Sequence, residues 1–349
     1  MAVTVVALLL LNAQPSVLAR LTSWDATYYA DIARFGYPEN IVVAGDRLVA
    51  GGLFAFAPLL PVLTAAVHVF GVPVTWAQVA LASAAGLVAS VGVHLLGREV
   101  VGNRRSGYIA CALLGVLPMA VTLQMGYAES LAIALGAFSL LAALRRRWWW
   151  AASLALVAGL ARPTGGVVAL AILIVGWSAR RSVRWPRPLL ATALGAAGLP
   201  LWWLFVWVRT GEPDGWFVVQ RVGWKTHFDF GAATRDFLTG NTPNLNDLMA
   251  VLALGTVAGY LILCVVALRT GASPPLAAVS IVAVVLTLGA SNFWYSKPRL
   301  LLAAFPLLVL LARPMSRWRT EAVVALIVVG VLASSWWGAY SLTRWPRPI

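Results

Sequence analysis

The sequence predicts an all-α polytopic membrane protein, and three observations predict it. Of its 349 residues, 61% are hydrophobic and only 11% are charged, against roughly 25% charged in soluble domains. Mean hydropathy is +0.84. Apolar runs recur with short breaks at close to the length, about 20 residues, that a helix needs to cross a hydrocarbon layer of about 30 Å. No polar stretch exceeds about 40 residues, the low end for an independent fold, so residues 1–349 read as a single transmembrane domain.

In chain order, apolar spans fall near 2–19, 76–96, 107–123, 129–144, 148–161, 164–179, 188–208, 249–268, 276–290, 300–312 and 321–340, which predicts about eleven transmembrane helices. The first lacks the basic flank of a signal peptide and reads as a retained helix. The run 54–70 is decided by charge. If it crosses, the clusters Arg98/Arg104/Arg105, Arg145–Arg147, Arg180/Arg181/Arg184/Arg187 and Arg313/Arg317/Arg319 share a side with Asp25. If it lies in the interface, those clusters face the cytoplasm and Asp25 faces outside. The positive-inside rule selects the second arrangement, and Pro58 and Pro61 suit a broken interfacial segment.

That topology places ten of the twelve carboxylates outside, leaving Glu99 and Glu321 inside. It also exposes two long outer loops, 20–53 and 209–247, of a length that is uncommon unless functional. The formal net charge of +14 is explained by cytoplasmic loops, with some of the excess meeting anionic lipid or a phosphorylated substrate. It does not call for nucleic acid. Cys111 and Cys264 lie inside apolar runs, and His68, His94 and His227 are scattered. Neither a disulfide framework nor a metal-ligand spacing is present. Trp148–Trp150 after Arg145–Arg147 read as an interfacial aromatic belt with its cytoplasmic anchor.

The densest polar stretch is WDATYYADIARFGY, residues 24–37, with two carboxylates, three tyrosines and an arginine directly after the first apolar segment. On a helix starting near Ser23, Asp25 and Tyr29 share a face at i, i+4, while Ile32 and Phe35 turn to the membrane. Asp25 is a candidate catalytic base; alternatively Ser23 or Asp25 caps the helix and the aromatics form a belt. Glu129, in QMGYAES, opens an apolar helix, where the dipole favours a carboxylate and where an embedded acid is also a candidate for function. Arg162, in GLARPTGG, is either a snorkelling side chain or a phosphate contact. Lys297 and Arg299, in FWYSKPRLL, are cations on the outer side, against the positive-inside bias. Lys225 and His227 in the second long loop are further candidates.

WDATYYADIARFGY resembles the W-D-x-x-[HY]-[FY]-x-x-I-A-x-x-G-Y signature of PIG-V-type mannosyltransferases, with Tyr28 where histidine is common. FAFAPLLPVL, GYAESL, LARPTG and KPRLLLAAFPLLVLLA are similar, in the same order, to four further elements of that family, so the resemblance covers residues 24–312. It implies a GT-C bundle with an interfacial helix in the first outer loop and an active site on the outer face of the cell membrane. It implies inverting transfer of a sugar, mannose in that family, from a polyprenyl-phosphate donor to a lipid or glycolipid acceptor. Asp25 matches the family's candidate base. Inverting transfer needs one base for the acceptor proton and cations for the leaving phosphate. Arg162, Lys297 and Arg299 are the expected phosphate ligands. Trp24, Tyr28, Tyr29, Asp31, Glu129, Lys225 and His227 are the expected substrate contacts. No nucleotide leaves, so no metal-binding D-x-D motif and no cofactor is expected. A transporter predicts polar residues at mid-helix and repeated halves, a non-catalytic partner predicts loss of the first-loop acid, and an oligosaccharide ligase is the alternative within the enzyme class.

Overall fold

The computed structural model describes residues 16–183, 185–239, 248–270, 273–291 and 293–348. Most of the expected span 2–19, together with Arg184 and the end of the second outer loop at 240–247, lies outside the described residues. The principal helices are α1 (Asp25–Phe35), α2 (Leu59–His68), α3 (Val74–Val101), α4 (Arg104–Gly115), α5 (Glu129–Leu144), α6 (Trp148–Ala161), α7 (Ala169–Ser178), α8 (Pro186–Ala196), α9 (Gly198–Thr210), α10 (Ala232–Thr239), α11 (Leu248–Thr270), α12 (Pro274–Leu288), α13 (Pro306–Met315) and α14 (Thr320–Thr343).

Fewer helices are long enough to cross a membrane than the eleven expected. Among the described residues α3, α11 and α14 are long and apolar enough alone. Counting each of two bent pairs as one broken span gives at most five: α8 with α9, bent by 44°, and Trp294–Ala304 with α13, bent by 68°. Prolines explain the breaks. A proline ring clashes with the carbonyl four residues earlier and offers no N–H. Pro200 sets that clash at Ala196, where α8 ends, and Pro306 sets it at Leu302, inside a short 3-10 turn. The apolar runs 129–144, 148–161 and 276–290 form helices of 14 to 16 residues, about 21–24 Å at about 1.5 Å per residue. The run 54–70 yields only α2, ten residues or about 15 Å, too short to cross alone.

The first long loop holds a feature outside the all-α expectation. Val42–Ala44 pairs antiparallel with Arg47–Ala50, with Ala44 opposite Arg47 across a Gly45-Asp46 turn. Gly45 adopts φ 63°, as tight hairpin turns require. The signal is present in the sequence as paired valines around a two-residue Gly-Asp turn.

The core is built from small residues. Ala82, Ala85 and Ala89 on α3, Ala134 and Ala137 on α5, and Ala151, Ala152 and Ala155 on α6 are all buried, which lets helix backbones approach closely. α3 links two ends of the bundle. Near its start Gln78 holds the beginning of α1, and near its end Glu99 receives two hydrogen bonds from Arg145, at 3.0 and 2.8 Å. Those positions are roughly 32 Å apart along the helix, so the Asp25 and Arg145 ends lie a bilayer thickness apart.

Candidate active site

The site begins with a backbone departure. Trp24 adopts φ 54° and ψ −120° immediately before α1, a conformation costing about 1–3 kcal/mol outside glycine. The turn delivers Asp25 as the first helical residue. Neither capping alternative is realised: Ser23 Oγ donates to the Arg20 carbonyl, and no side chain caps α1. The Asp25 carboxylate instead accepts from Arg299 Nη2 at 2.8 Å.

Arg299 joins a larger array. Its Nε lies 3.3 Å from Glu129 Oε1, an ion-pair contact not aligned as a hydrogen bond. The same Oε1 accepts from Arg162 Nη1 at 2.5 Å. The result is a chain, Asp25–Arg299–Glu129–Arg162, formally neutral and drawn from four separate segments. Its middle is the more enclosed: Arg299 and Glu129 side chains are 7% and 4% exposed, Asp25 and Arg162 19% and 17%. Beneath it, the Arg299 guanidinium lies 4.9 Å from the centre of the buried Tyr127 ring, a cation–π contact. Tyr29, one turn after Asp25, is buried and electrostatically coupled to all four charges; burial raises its phenol well above its ordinary range, so it stays protonated. The array is not closed, because Glu129 Oε2 and Arg299 Nη1 are buried without a hydrogen-bond partner.

Local sequence explains how these groups converge. Gln78 Nε2 donates to the Ala26 and Gly126 carbonyls, at 2.9 and 2.7 Å, and Gly126 N–H donates to Leu21. These bonds staple the start of α1 to the turn before α5. Gly126 leaves room for this, since a Cβ there would lie 2.6 Å from Gln78 Cδ. Arg162 ends α6 in extended backbone, Pro163 opens the following 3-10 turn, and Gly165 N–H donates back to Arg162. A Cβ on Gly165 would lie 2.1 Å from the Ala158 carbonyl oxygen. Gly165→Ala is therefore expected to push the turn away from α6 and pull Arg162 off Glu129. A loss of about 1–3 kcal/mol is expected from such overpacking, read as a lower melting temperature in detergent.

Beside the array lies an aromatic wall. Tyr28 stacks on Phe56 at 5.0 Å and meets Trp224 edge-on at 5.2 Å, and Tyr29 meets Phe56 at 5.0 Å. Tyr28 also borders an open cleft of about 700 Å³ between the hairpin and residues 222–225. Lys225 lines this cleft, with φ 51° and its Nζ 3.1 Å from the Asp46 carbonyl.

Other expected site residues stand apart from the array. Lys297 is buried, but its ammonium donates to the Thr287 and Ala290 carbonyls, at 2.9 and 2.8 Å, at the end of α12. Residues two apart on a helical turn do not face the same way, so Lys297 and Arg299 diverge. His227 Nδ1 lies 3.0 Å from Ser291 Oγ. Asp31 is half-exposed, 3.7 Å from Arg34. Trp24 is half-buried against the main core. Sequence reasoning does not single out Gln78, Tyr127, Phe56 or Trp224. Gln78 carries a usable signal, as a lone amide inside an apolar span.

Solved structures share this architecture. ArnT from Cupriavidus metallidurans, bound to undecaprenyl phosphate, superposes with a TM-score of 0.60 at 17% identity, over 94% of this chain and 61% of that one. The oligosaccharyltransferase AglB from Archaeoglobus fulgidus, in complex with an inhibitory peptide and a dolichol-phosphate, gives 0.53 at 15% identity, over 98% of this chain and 55% of that one. Its apo form gives 0.51 at 15% identity. Both proteins are GT-C glycosyltransferases. The chain shares the fold of these two proteins. Helices of this apolarity in that fold make it a multi-pass membrane protein. It spans about 55–61% of the length of these structures. No known protein family is matched by the sequence, and neither is any curated protein.

Proposed function

We propose that the protein is an inverting glycosyltransferase that moves a single sugar from a polyprenyl-phosphate donor to a lipid or glycolipid acceptor. One observation carries this reading: the buried Asp25–Arg299–Glu129–Arg162 array with its unpartnered Arg299 Nη1 and Glu129 Oε2. Buried ion networks are poor stabilisers compared with well-packed apolar residues. Buried donors and acceptors left open in such a network call for an explanation, and a phosphate with an adjacent sugar supplies one.

In this mechanism the donor phosphate enters against Arg299 and draws its guanidinium from Asp25, while Glu129 holds Arg299 and Arg162 in register. The freed Asp25 carboxylate takes the acceptor hydroxyl proton. The acceptor oxygen bonds to the anomeric carbon from the face opposite the phosphate. The carbon–oxygen bond to phosphate breaks, and its electron pair stays on the phosphate, neutralised by the two guanidinium groups. Tyr28, Trp224 and Lys225 border the cleft assigned to the acceptor. The motif resemblance supports mannose as the sugar.

The test is a donor screen. Purified protein is given radiolabelled polyprenyl-phosphate mannose, polyprenyl-phosphate glucose, or a lipid-diphosphate oligosaccharide, with a lipid-extract acceptor pool. Label reaching lipid from the first is the expected result. Transfer from the diphosphate alone makes the protein an oligosaccharide ligase, and no transfer from any donor ends the enzymatic reading.

The same proposal places loops 20–53 and 209–247 outside the cell. In a variant lacking Cys111 and Cys264, Val49→Cys is expected to react with an impermeant maleimide added to intact cells, and Arg146→Cys only after permeabilisation. Labelling of position 146 from outside would invert the orientation.

A further inference from the structure

The end of the bundle away from Asp25 carries a second site that the proposed transfer does not use. Between α11 and α13 runs a groove of about 320 Å³, walled by Leu263, Val266, Leu307 and Leu311 and closed at one end by Arg313 and Arg317. The wall from Leu263 to Thr270 on α11 is roughly 10 Å long. Arg313 also borders an adjoining cavity of about 330 Å³ that includes Glu99. The carboxylates here are already engaged: Glu99 by two hydrogen bonds from Arg145, and Glu321 by Arg319 at 3.7 Å. Among the described residues Arg313 and Arg317 have no ion-pair partner. Trp318, half-exposed beside them, suits the membrane interface.

We propose that this groove binds an anionic phospholipid, with one acyl chain along α11 and α13 and the phosphate on Arg313 and Arg317. An aliphatic groove inside a bilayer gives little preference by itself, because lipid tails are as apolar as leucine. Selectivity must come from the two unpaired guanidinium groups. Each basic residue near an anionic lipid surface is worth roughly fivefold in affinity, so the pair is worth about thirtyfold. A neutral lipid leaves those charges unmatched.

The experiment is lipid titration of the purified full-length protein in detergent, with bound lipids counted by native mass spectrometry. The probes are phosphatidylglycerol and phosphatidylcholine of identical chains, and inorganic phosphate. Wild type is expected to favour phosphatidylglycerol by about thirtyfold, and inorganic phosphate is expected not to compete. Arg313→Gln combined with Arg317→Gln should abolish the preference, while Arg181→Gln combined with Arg187→Gln, an equal loss of charge on exposed residues elsewhere, should keep it. Val266→Trp should fill the groove and lower phosphatidylglycerol occupancy with no change of charge. If the double variant misfolds, judged by its melting temperature, Arg317→Gln alone should lose about fivefold. The proposal is overturned if the arginine variants retain the preference, if the control pair loses as much, or if Val266→Trp binds normally.

Discussion

Asp25→Asn is expected to lower sugar transfer by about 10²–10⁴, the usual cost of removing a general base, while binding of the lipid-phosphate donor holds or improves. Asparagine keeps the size of aspartate and one carbonyl acceptor but cannot take the acceptor proton. The rise in binding follows from the array. Arg299 Nη2 is held by the Asp25 carboxylate at 2.8 Å, so an incoming phosphate competes with it. A hydrogen bond to a charged group is worth about 1.5–3 kcal/mol, and its weakening gives up to about tenfold tighter binding of polyprenyl phosphate. The measurement pairs transfer kinetics with equilibrium binding of the unlabelled carrier lipid. Near-normal transfer by Asp25→Asn would remove Asp25 as the base and turn attention to Glu129, whose Oε2 is unpartnered.

The second large effect is expected at Arg299. Arg299→Ala strips Asp25 of its partner, leaves Glu129 to Arg162 alone and opens space over Tyr127. Breaking a buried ion pair by removing one member costs about 3–5 kcal/mol, and the partial exposure of Asp25 sets the expectation at the lower end. Both thermal stability in detergent and donor affinity should fall. Arg299→Lys is expected to recover little of either. A single ammonium cannot meet Asp25 and Glu129 together while lying flat on the Tyr127 ring, since it lacks the planar fork of guanidinium. Full recovery by lysine would mean that only a point charge is needed, and the shared-guanidinium mechanism would fall.

Much of the site is legible in the amino-acid sequence. Asp25, Glu129, Arg162 and Arg299 each stand out as charges at the ends of apolar runs. Each is ambiguous alone, because a cap, a helix dipole or a snorkelling side chain explains one such charge without function. The hairpin at 42–50 is legible through its valines and Gly-Asp turn. The aromatic wall is not, because Tyr28, Phe56 and Trp224 come from three distant segments and nothing local marks them as neighbours.

Composition is enough to settle the class of solvent and the chemistry on offer. A chain so apolar must live in a bilayer, and its few embedded charges have to be paired or functional, because burying an unpaired one is too costly. How those charges meet is a property of the folded chain. Of the three cations expected at a phosphate, Arg162 and Arg299 are paired with two carboxylates, and Lys297 donates to the Thr287 and Ala290 carbonyls. Where an apolar run bends is likewise a property of the fold: among the described residues, two runs are broken into bent helix pairs. Hydropathy sums over a window and is blind to where a helix bends. Charge pairing depends on distances between separate segments, from the 33 residues between Glu129 and Arg162 to the far longer stretch between Asp25 and Arg299, which no local pattern encodes.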